Sequence, residues 1–312
     1  MPLLTRKRLI LAKSETVYGT EPSPAPTGTD AVLVRNLDIT PIEADVVSRD
    51  LVRPYLGNYE QLLAQTRVSI TFQVELAGSG VAGTAPKYGS ILKACGMSET
   101  VVATTSVTYA PVSSAFSSAT IYFNNDGVLH KATGCRGTFT LNGEVGQIPT
   151  IDFTMTGIYN APTDTAAPAV TYSAQAAPQV FKAGNTSAFS FLGHSGCLQM
   201  VNFDIANEVI YRELVGCTKE VLITNRAPSG ECMIEAPALA TKDYFAIANN
   251  DTTGSLTFQH GTVAGNRVTF TAQKVDISNP SYADQDGIQM LSLPYVAIPT
   301  DAGNDEVALV YT

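Results

Sequence analysis

The feature that most constrains this chain is that it reads twice. Residues 31–39 run Ala-Val-Leu-Val-Arg-Asn-Leu-Asp-Ile and residues 197–205 run Cys-Leu-Gln-Met-Val-Asn-Phe-Asp-Ile, so Asn36, Asp38 and Ile39 recur as Asn202, Asp204 and Ile205. Arg49-Asp50-Leu51-Val52 returns as Arg212-Glu213-Leu214-Val215, and each is followed by a glycine, Gly57 or Gly216. Self-similarity at this spacing is the mark of one supersecondary unit used in tandem. The alternative is one large β domain in which the similarity is chance.

The order of elements repeats where identity fades. Residues 68–75 alternate apolar and polar, as a half-buried strand must, and residues 232–235 answer them. A short helix-like segment follows in each half, at 88–95 and at 242–248. Strands at 120–123, 137–141 and 150–155 match others at 255–258, 267–271 and 288–293. Asn125-Asp126-Gly127 and Gly265-Asn266 sit between such runs, and these residue types tolerate the positive φ of a tight hairpin. The expected fold is therefore mainly β (α+β): two tandem, similar β-sandwich or barrel domains, each with a short packed helix. The expected boundaries are an extended N-terminal arm at 1–30, a first domain at 31–160, an Ala/Pro/Thr/Ser-rich linker at 161–196 and a second domain at 197–312.

Length and composition fit this plan. The chain has 312 residues, enough for two cores, and at 45% apolar with only 15% charged it is globular. Its net charge of -9 argues against tight nucleic-acid binding, which depends on Lys and Arg displacing counterions from phosphates. Basic residues are scattered apart from Arg6-Lys7-Arg8. The apolar run after that cluster is too short for a signal peptide, and no stretch approaches the ~20 apolar residues of a membrane span. Cys95, Cys135, Cys197, Cys217 and Cys232 form no C-x-x-C pair and read as free thiols in a reducing cytoplasm.

Motifs for chemistry are few. Gly78-Ser79-Gly80-Val81-Ala82-Gly83 is a literal G-x-G-x-x-G between a strand and a helix. Pro86 delays the helix, no βαβ crossover surrounds it, and the second copy fills the same connection with Ala236-Pro237-Ala238-Leu239-Ala240. A flexible surface loop is the reading it supports. No G-x-S-x-G elbow is present, and His130 and His260 are expected as surface or strand-end residues. Asp284 and Asp286 lie in an acidic turn without the spacing or closing Glu of a calcium loop. The expectation is a chain that is not an enzyme and that carries no cofactor and no metal.

The residues 9–20, Leu-Ile-Leu-Ala-Lys-Ser-Glu-Thr-Val-Tyr-Gly-Thr, resemble the opening of a family of phage major tail tube proteins. So do Leu37-Asp38-Ile39-Thr40-Pro41, Arg49-Asp50-Leu51-Val52-Arg53-Pro54-Tyr55-Leu56-Gly57, the run 236–243 and Asn279-Pro280-Ser281-Tyr282. The resemblance implies a virion protein of a long, non-contractile tail, made in the host cytoplasm. Its rings would stack into a hollow tube that passes double-stranded DNA without tight binding. It also implies a tape-measure protein and tail terminator and tip proteins as partners, with no membrane. Six tube domains per ring, combined with the tandem repeat, imply a homotrimer with pseudo-sixfold symmetry; a hexamer of chains with one tube-forming domain is the alternative. Residues 40–67 are the candidate loop to the adjacent ring, with Leu51, Arg53, Pro54, Tyr55 and Leu56 as its contacts and the N-terminal arm as a second candidate. Two other classes stay open. One is a capsid decoration or tail-tip binding protein with repeated β domains; the other is a nucleotide-dependent enzyme using the glycine loop.

Overall fold

Short alternating runs broken by Gly, Pro and Asn leave little room for helix, and the computed structural model is 51% strand and 5% helix. It describes residues 3–49, 51–172 and 175–312. The first half begins with β1 (Arg8–Ser14), a 3-10 turn at Gly28–Asp30 and β2 (Ala31–Val32), then the long pair β3 (Arg35–Ser48) and β4 (Gln61–Glu75). Helix α1 (Gly89–Ala94) is followed by the hairpin β5 (Met97–Val102) and β6 (Ser106–Pro111), then β7 (Ala119–Asn125), β8 (Val128–Glu144), β9 (Thr150–Tyr159) and β10 (Thr163–Asp164). The second half opens with β11 (Thr186–Phe191), β12 (Leu198–Asp204), β13 (Asn207–Arg212), β14 (Glu220–Arg226) and β15 (Ser229–Glu235). It continues with α2 (Tyr244–Asn249), β16 (Gly254–His260), β17 (Val268–Ile277), β18 (Ser281–Gln285), β19 (Ile288–Ala297) and β20 (Ala308–Tyr311).

One pairing scheme runs twice. β3 pairs β4, β4 pairs β9 and β9 pairs β8; in the second half β12 pairs β15, β15 pairs β19 and β19 pairs β18, all antiparallel. A second layer forms from β1, β7 and β8 in one half and from β11, β16 and β17 in the other. β17 and β18 together take the place of β8, because Pro280 lies between them and cannot donate to a ladder. The two runs are joined where β12 pairs with the end of β8, giving the unbroken order β3-β4-β9-β8-β12-β15-β19-β18.

β8 serves both layers. Its register against β9 shifts between Thr133 and Arg136, where Gly134 takes φ +60. A Cβ there would stand 2.9 Å from the Tyr18 ring, so the bend needs glycine. Before the bend β8 pairs β7, and after it β12. The core lies between the layers and is continuous across the halves: Phe72, Phe139 and Phe153 meet Phe203, Phe258 and Phe270, with Phe139 and Phe203 6.4 Å apart. Both helices are six residues long, too short to persist without packing. α1 buries Ile91, Leu92 and Ala94, and α2 is capped by Asp243 Oδ1, which accepts from Ala246 N at 2.9 Å.

Within the span expected as an N-terminal arm, β1 is paired along its whole length with β7, and Leu9, Ile10, Leu11 and Ala12 are buried. Within the span expected as a linker, β11 pairs β16 and Phe181 is buried. Residues 173–174 of that span and Met1 and Pro2 lie outside the described residues. Phe181 stacks on His260 at 5.6 Å. His260 Nε2 donates to Gln179 O at 3.1 Å and Nδ1 accepts from Thr186 Oγ1 at 3.0 Å. His260 is thus a strand-end residue, but it is buried and holds 179–186 in place.

Burial pushes the His260 imidazole below its ordinary pKa, against a smaller opposing effect of the Gln179 hydrogen bond, and burial lowers His130 as well. The unfolded chain then binds protons that the fold refuses. The stability due to the neutral rings is present above about pH 6.5 and is lost as pH falls through the lower folded values. The melting temperature is expected to drop between about pH 7 and about pH 5, and His260→Gln to flatten part of that drop. Parallel calorimetric profiles for parent and variant would remove His260 from the account.

Candidate assembly surfaces

The β3–β4 pair outruns its sheet. β4 leaves β9 at Arg67↔Ile158, yet β3 and β4 stay paired through Asp45↔Ala64, Val46↔Leu63, Val47↔Leu62 and Ser48↔Gln61. The arm is braced at its base by Arg67, whose guanidinium reaches Glu43 at 2.7 Å and Asp45 at 3.5 Å. Beyond that point Val46, Val47, Leu62 and Leu63 are each about half exposed. Opposite partners share a face, so Val46 and Leu63 lie on one side of the arm and Val47 and Leu62 on the other. Sequence reading missed these four. The available signal was the apolar doublet in each strand, which places one residue on each face.

At the arm's tip, residues 51–60 form a loop, and Arg49 and Glu60 stand 3.7 Å apart at its base. Of the contacts expected from sequence, Leu51, Pro54, Tyr55 and Leu56 are exposed, Leu56 fully. Val52, which was not singled out, is fully exposed too. Arg53 differs: its guanidinium lies over the Tyr55 and Tyr59 rings at 4.7 and 4.1 Å and donates to Asn58 O at 2.9 Å. It shapes the loop from within. Asp50 of the same motif lies outside the described residues.

The second half has the same hairpin, folded back. The chain turns at Ala206, with φ +47, and again at Pro228, so β13 and β14 leave the line of β12 and β15 and, among the described residues, pair only with each other. They lie across β8, β9 and β4 of the first half, meeting β8 at its middle around Arg136–Thr138. Val221 and Ile223 are buried there. Arg136 Nη1 donates to Val221 O at 2.8 Å, and Asn207 Nδ2 donates to Cys95 O at 2.7 Å and Gly137 O at 3.0 Å. Tyr18 stacks on Arg136 at 4.7 Å and its hydroxyl accepts from Val221 N. Glu15 holds this corner, accepting from Gly19 N, Gly134 N, Ser118 Oγ and Thr120 Oγ1 at 2.6–2.8 Å. The familiar run 9–20 is therefore a core strand followed by a brace for the folded-back hairpin.

Two edges of the long sheet are free. Among the described residues β3 pairs only with β4 and β18 only with β19. One face of the sheet packs on the core; the other is polar and carries Asp38, Glu75, Glu144, Asp152, Asp204, Glu231 and Glu235. Arg35, opposite Gln73, lies on this face too, as do Arg67 and Arg136 farther along β4 and β8. Partial burial raises the Asp152 carboxyl above its ordinary pKa, against hydrogen bonds from Gln73, Thr150 and Asn142 that lower it.

A family described as phage tail tube protein matches residues 5–297, which is nearly the whole chain. The chain belongs to the phage tail tube protein family. Comparison with curated proteins gave no match. Membership makes it a structural protein of the virion tail that self-assembles into a tube, and it points to a non-enzymatic role.

In this tail tube protein the residues that imitated chemistry are engaged in packing. The Gly78–Gly83 loop lies against residues 261–267: Gly80 N donates to Gly265 O at 3.0 Å and Gly78 N to Asn266 Oδ1 at 2.8 Å. A Cβ on Gly78 would fall 2.0 Å from Gly265 O, so the glycine permits contact between backbones. Cys95, Cys135 and Cys232 are buried, and burial pushes their thiols well above the ordinary range, which leaves little thiolate. Among the described residues no group of His, Cys, Asp and Glu is placed to hold a metal ion, and no helix is long and apolar enough to cross a membrane. Gly78→Ala is expected to cost ~2 kcal/mol or more in urea unfolding, since backbone must move to admit the methyl. An unchanged midpoint would mean that the two loops can separate freely.

Proposed function

We propose that this chain is the ring subunit of a long, non-contractile phage tail, stacking into a hollow conduit that passes double-stranded DNA. The observation that carries this reading is the unbroken sheet β3-β4-β9-β8-β12-β15-β19-β18 with a free edge at each end. Unpaired edges invite further strands, and a head-to-tail contact that closes on itself turns such sheets into a ring. Residues 31–160 and 197–312 act as two tube domains, so three chains make a ring with pseudo-sixfold symmetry. The acidic sheet face turns to the lumen, where carboxylates repel phosphates and keep DNA mobile. The tip, with Leu51, Val52, Pro54, Tyr55 and Leu56, reaches the adjacent ring, and Arg53 keeps it in shape. A tape-measure protein and terminator and tip proteins meet the tube at its lumen and ends, and the chain is made in the host cytoplasm.

Electron microscopy of the purified protein, averaged along the particle axis, tests the reading. Hollow rings with three identical subunits and six similar lobes are expected. Six identical subunits would keep the tube and overturn the stoichiometry, and discrete oligomers that never stack would favour a decoration or tail-tip protein. Val52→Ser with Leu56→Ser should leave the melting temperature of the unassembled chain within about 1 °C, because both residues are already in solvent. Rings should then persist while tubes shorten; tubes of normal length would remove the loop from the stacking contact. Glu75, Glu144 and Glu235 changed together to Lys should leave tubes intact and slow DNA ejection, and ejection at the parent rate would refute a role for lumen charge.

A further inference from the structure

The folded-back hairpin ends in a knob of its own. Arg49-Asp50-Leu51-Val52 at the arm's tip recurs as Arg212-Glu213-Leu214-Val215 between β13 and β14. The two hairpins point differently, yet the exposures agree: 53% and 104% for Leu51 and Val52, 46% and 106% for Leu214 and Val215. The hairpin buries Val221 and Ile223 and leaves this pair in water. Single exposed apolar residues are ordinary; an adjacent pair kept in the same state at both tips marks a contact outside the chain. Exposed Arg212 and Lys219 flank the knob, while Glu213 is paired with Lys219 at 3.0 Å and Glu220 lies beside Arg136.

The opposite end of the long sheet holds a groove of about 290 Å³ between the chain entering β12, the end of β15 and the β18–β19 turn. Leu198, Ile288 and Met290 make it apolar, with Ile288 54% exposed, and its charged residues, Glu235 and Asp286, are both acidic. The first half has a cleft in the same position, between the chain entering β3 and the end of β4. There the chain fills it: Gln175 Oε1 accepts from Leu33 N at 3.3 Å and Ala176 N donates to Gly78 O at 3.0 Å, leaving about 30 Å³. Among the described residues nothing fills the groove of the second half in this way.

We infer that the Leu214-Val215 knob of one chain seats in this groove of a chain in the adjacent ring, with Arg212 and Lys219 against Glu235 and Asp286. The inference rests on the stacked-ring reading and adds a second axial contact, together with the site that receives it. β4 crosses the sheet from Arg67, where the arm leaves, to Glu75 at the groove end, about 26 Å at ~3.3 Å per residue. β13 packs on β4, and Tyr211, beside the knob, lies near Arg67. At the other end Cys197 O accepts from Glu235 N at 2.9 Å. Knob and groove of one chain therefore lie at opposite ends and cannot meet, whereas head-to-tail stacking sets one end against the other. Leu214 and Val215 supply apolar contact, and the opposed charges fix the register.

The two exposed cysteines report on this contact, since Cys217 stands in the knob and Cys197 lines the groove. Tubes of the unmodified full chain, treated with diamide, are expected to give a ladder on non-reducing gels that runs past the ring number. Cys197→Ser and Cys217→Ser are each expected to abolish the ladder. Both positions are exposed, so melting temperatures should stay within about 1 °C of the parent. Val215→Asp sets a further carboxylate against Glu235 and Asp286 and is expected to shorten tubes while rings persist. Tubes that give no 197–217 link, with diamide or with a short bismaleimide, would overturn the contact and leave the ring reading standing. So would a ladder that survives in either serine variant, or tubes of parent length from Val215→Asp. A chain that forms no tubes at any concentration would defeat both.

Discussion

Five residue pairs between β8 and β12, from Met200↔Glu144 to Asp204↔Thr140, hold the rest of the structure in place. Without them each half would end in an open strand whose peptide groups lack partners. With them the two runs become one sheet, the aromatic cores touch through Phe139 and Phe203, and the polar side chains of both halves share a face. The seam exists because β8 bends at Gly134, releases β7 and offers its last residues to a new neighbour. A single glycine braced by Glu15 and Tyr18 thus decides where the first half stops and how the second is hung on it.

The two hairpins show what divergence after a repeat can do. In the first half β3 and β4 stay paired, through two register shifts, past the place where the second half turns at Ala206 and Pro228. The second hairpin buries Val221 and Ile223 against its own chain; the first leaves its apolar residues in solvent. A lone two-stranded ribbon with both faces apolar is poorly stable by itself, so the exposed arm belongs to an assembly.

Much of this was legible in the sequence, and the limits have physical causes. The mainly β character, the hairpin at Asn125-Asp126-Gly127 and the repeated order of elements could be read because alternation and turn chemistry are local properties. The helix at 89–94 fell inside its expected segment, and the helix at 244–249 overran the expected 242–248 by one residue. β1 and β11 were hidden, since Leu9-Ile10-Leu11-Ala12 is apolar throughout and Thr186–Phe191 sits among linker-like residues; only their pairing with β7 and β16 makes them strands. The sequence matched residues 267–271 to 137–141, whereas the pairing scheme makes 268–277 the counterpart of the start of β8 and 281–285 the counterpart of its end. Pro280 divides one long strand into two and shifts the apparent alignment. Of the tip residues, exposure could be guessed from the loop, but the inward role of Arg53 depends on two tyrosine rings that meet it only in three dimensions.

The β8–β12 seam also bears on how a tube is made. A contact between two parts of one chain forms at a local concentration set by the connecting segment, not by how much protein the cell holds. In the proposed ring every second seam is of this kind and is already closed before any collision. Only the alternate seams wait on diffusion, so fewer bimolecular steps separate a free chain from a closed ring. Growth then responds less steeply to subunit supply than it would for a ring built from six separate pieces.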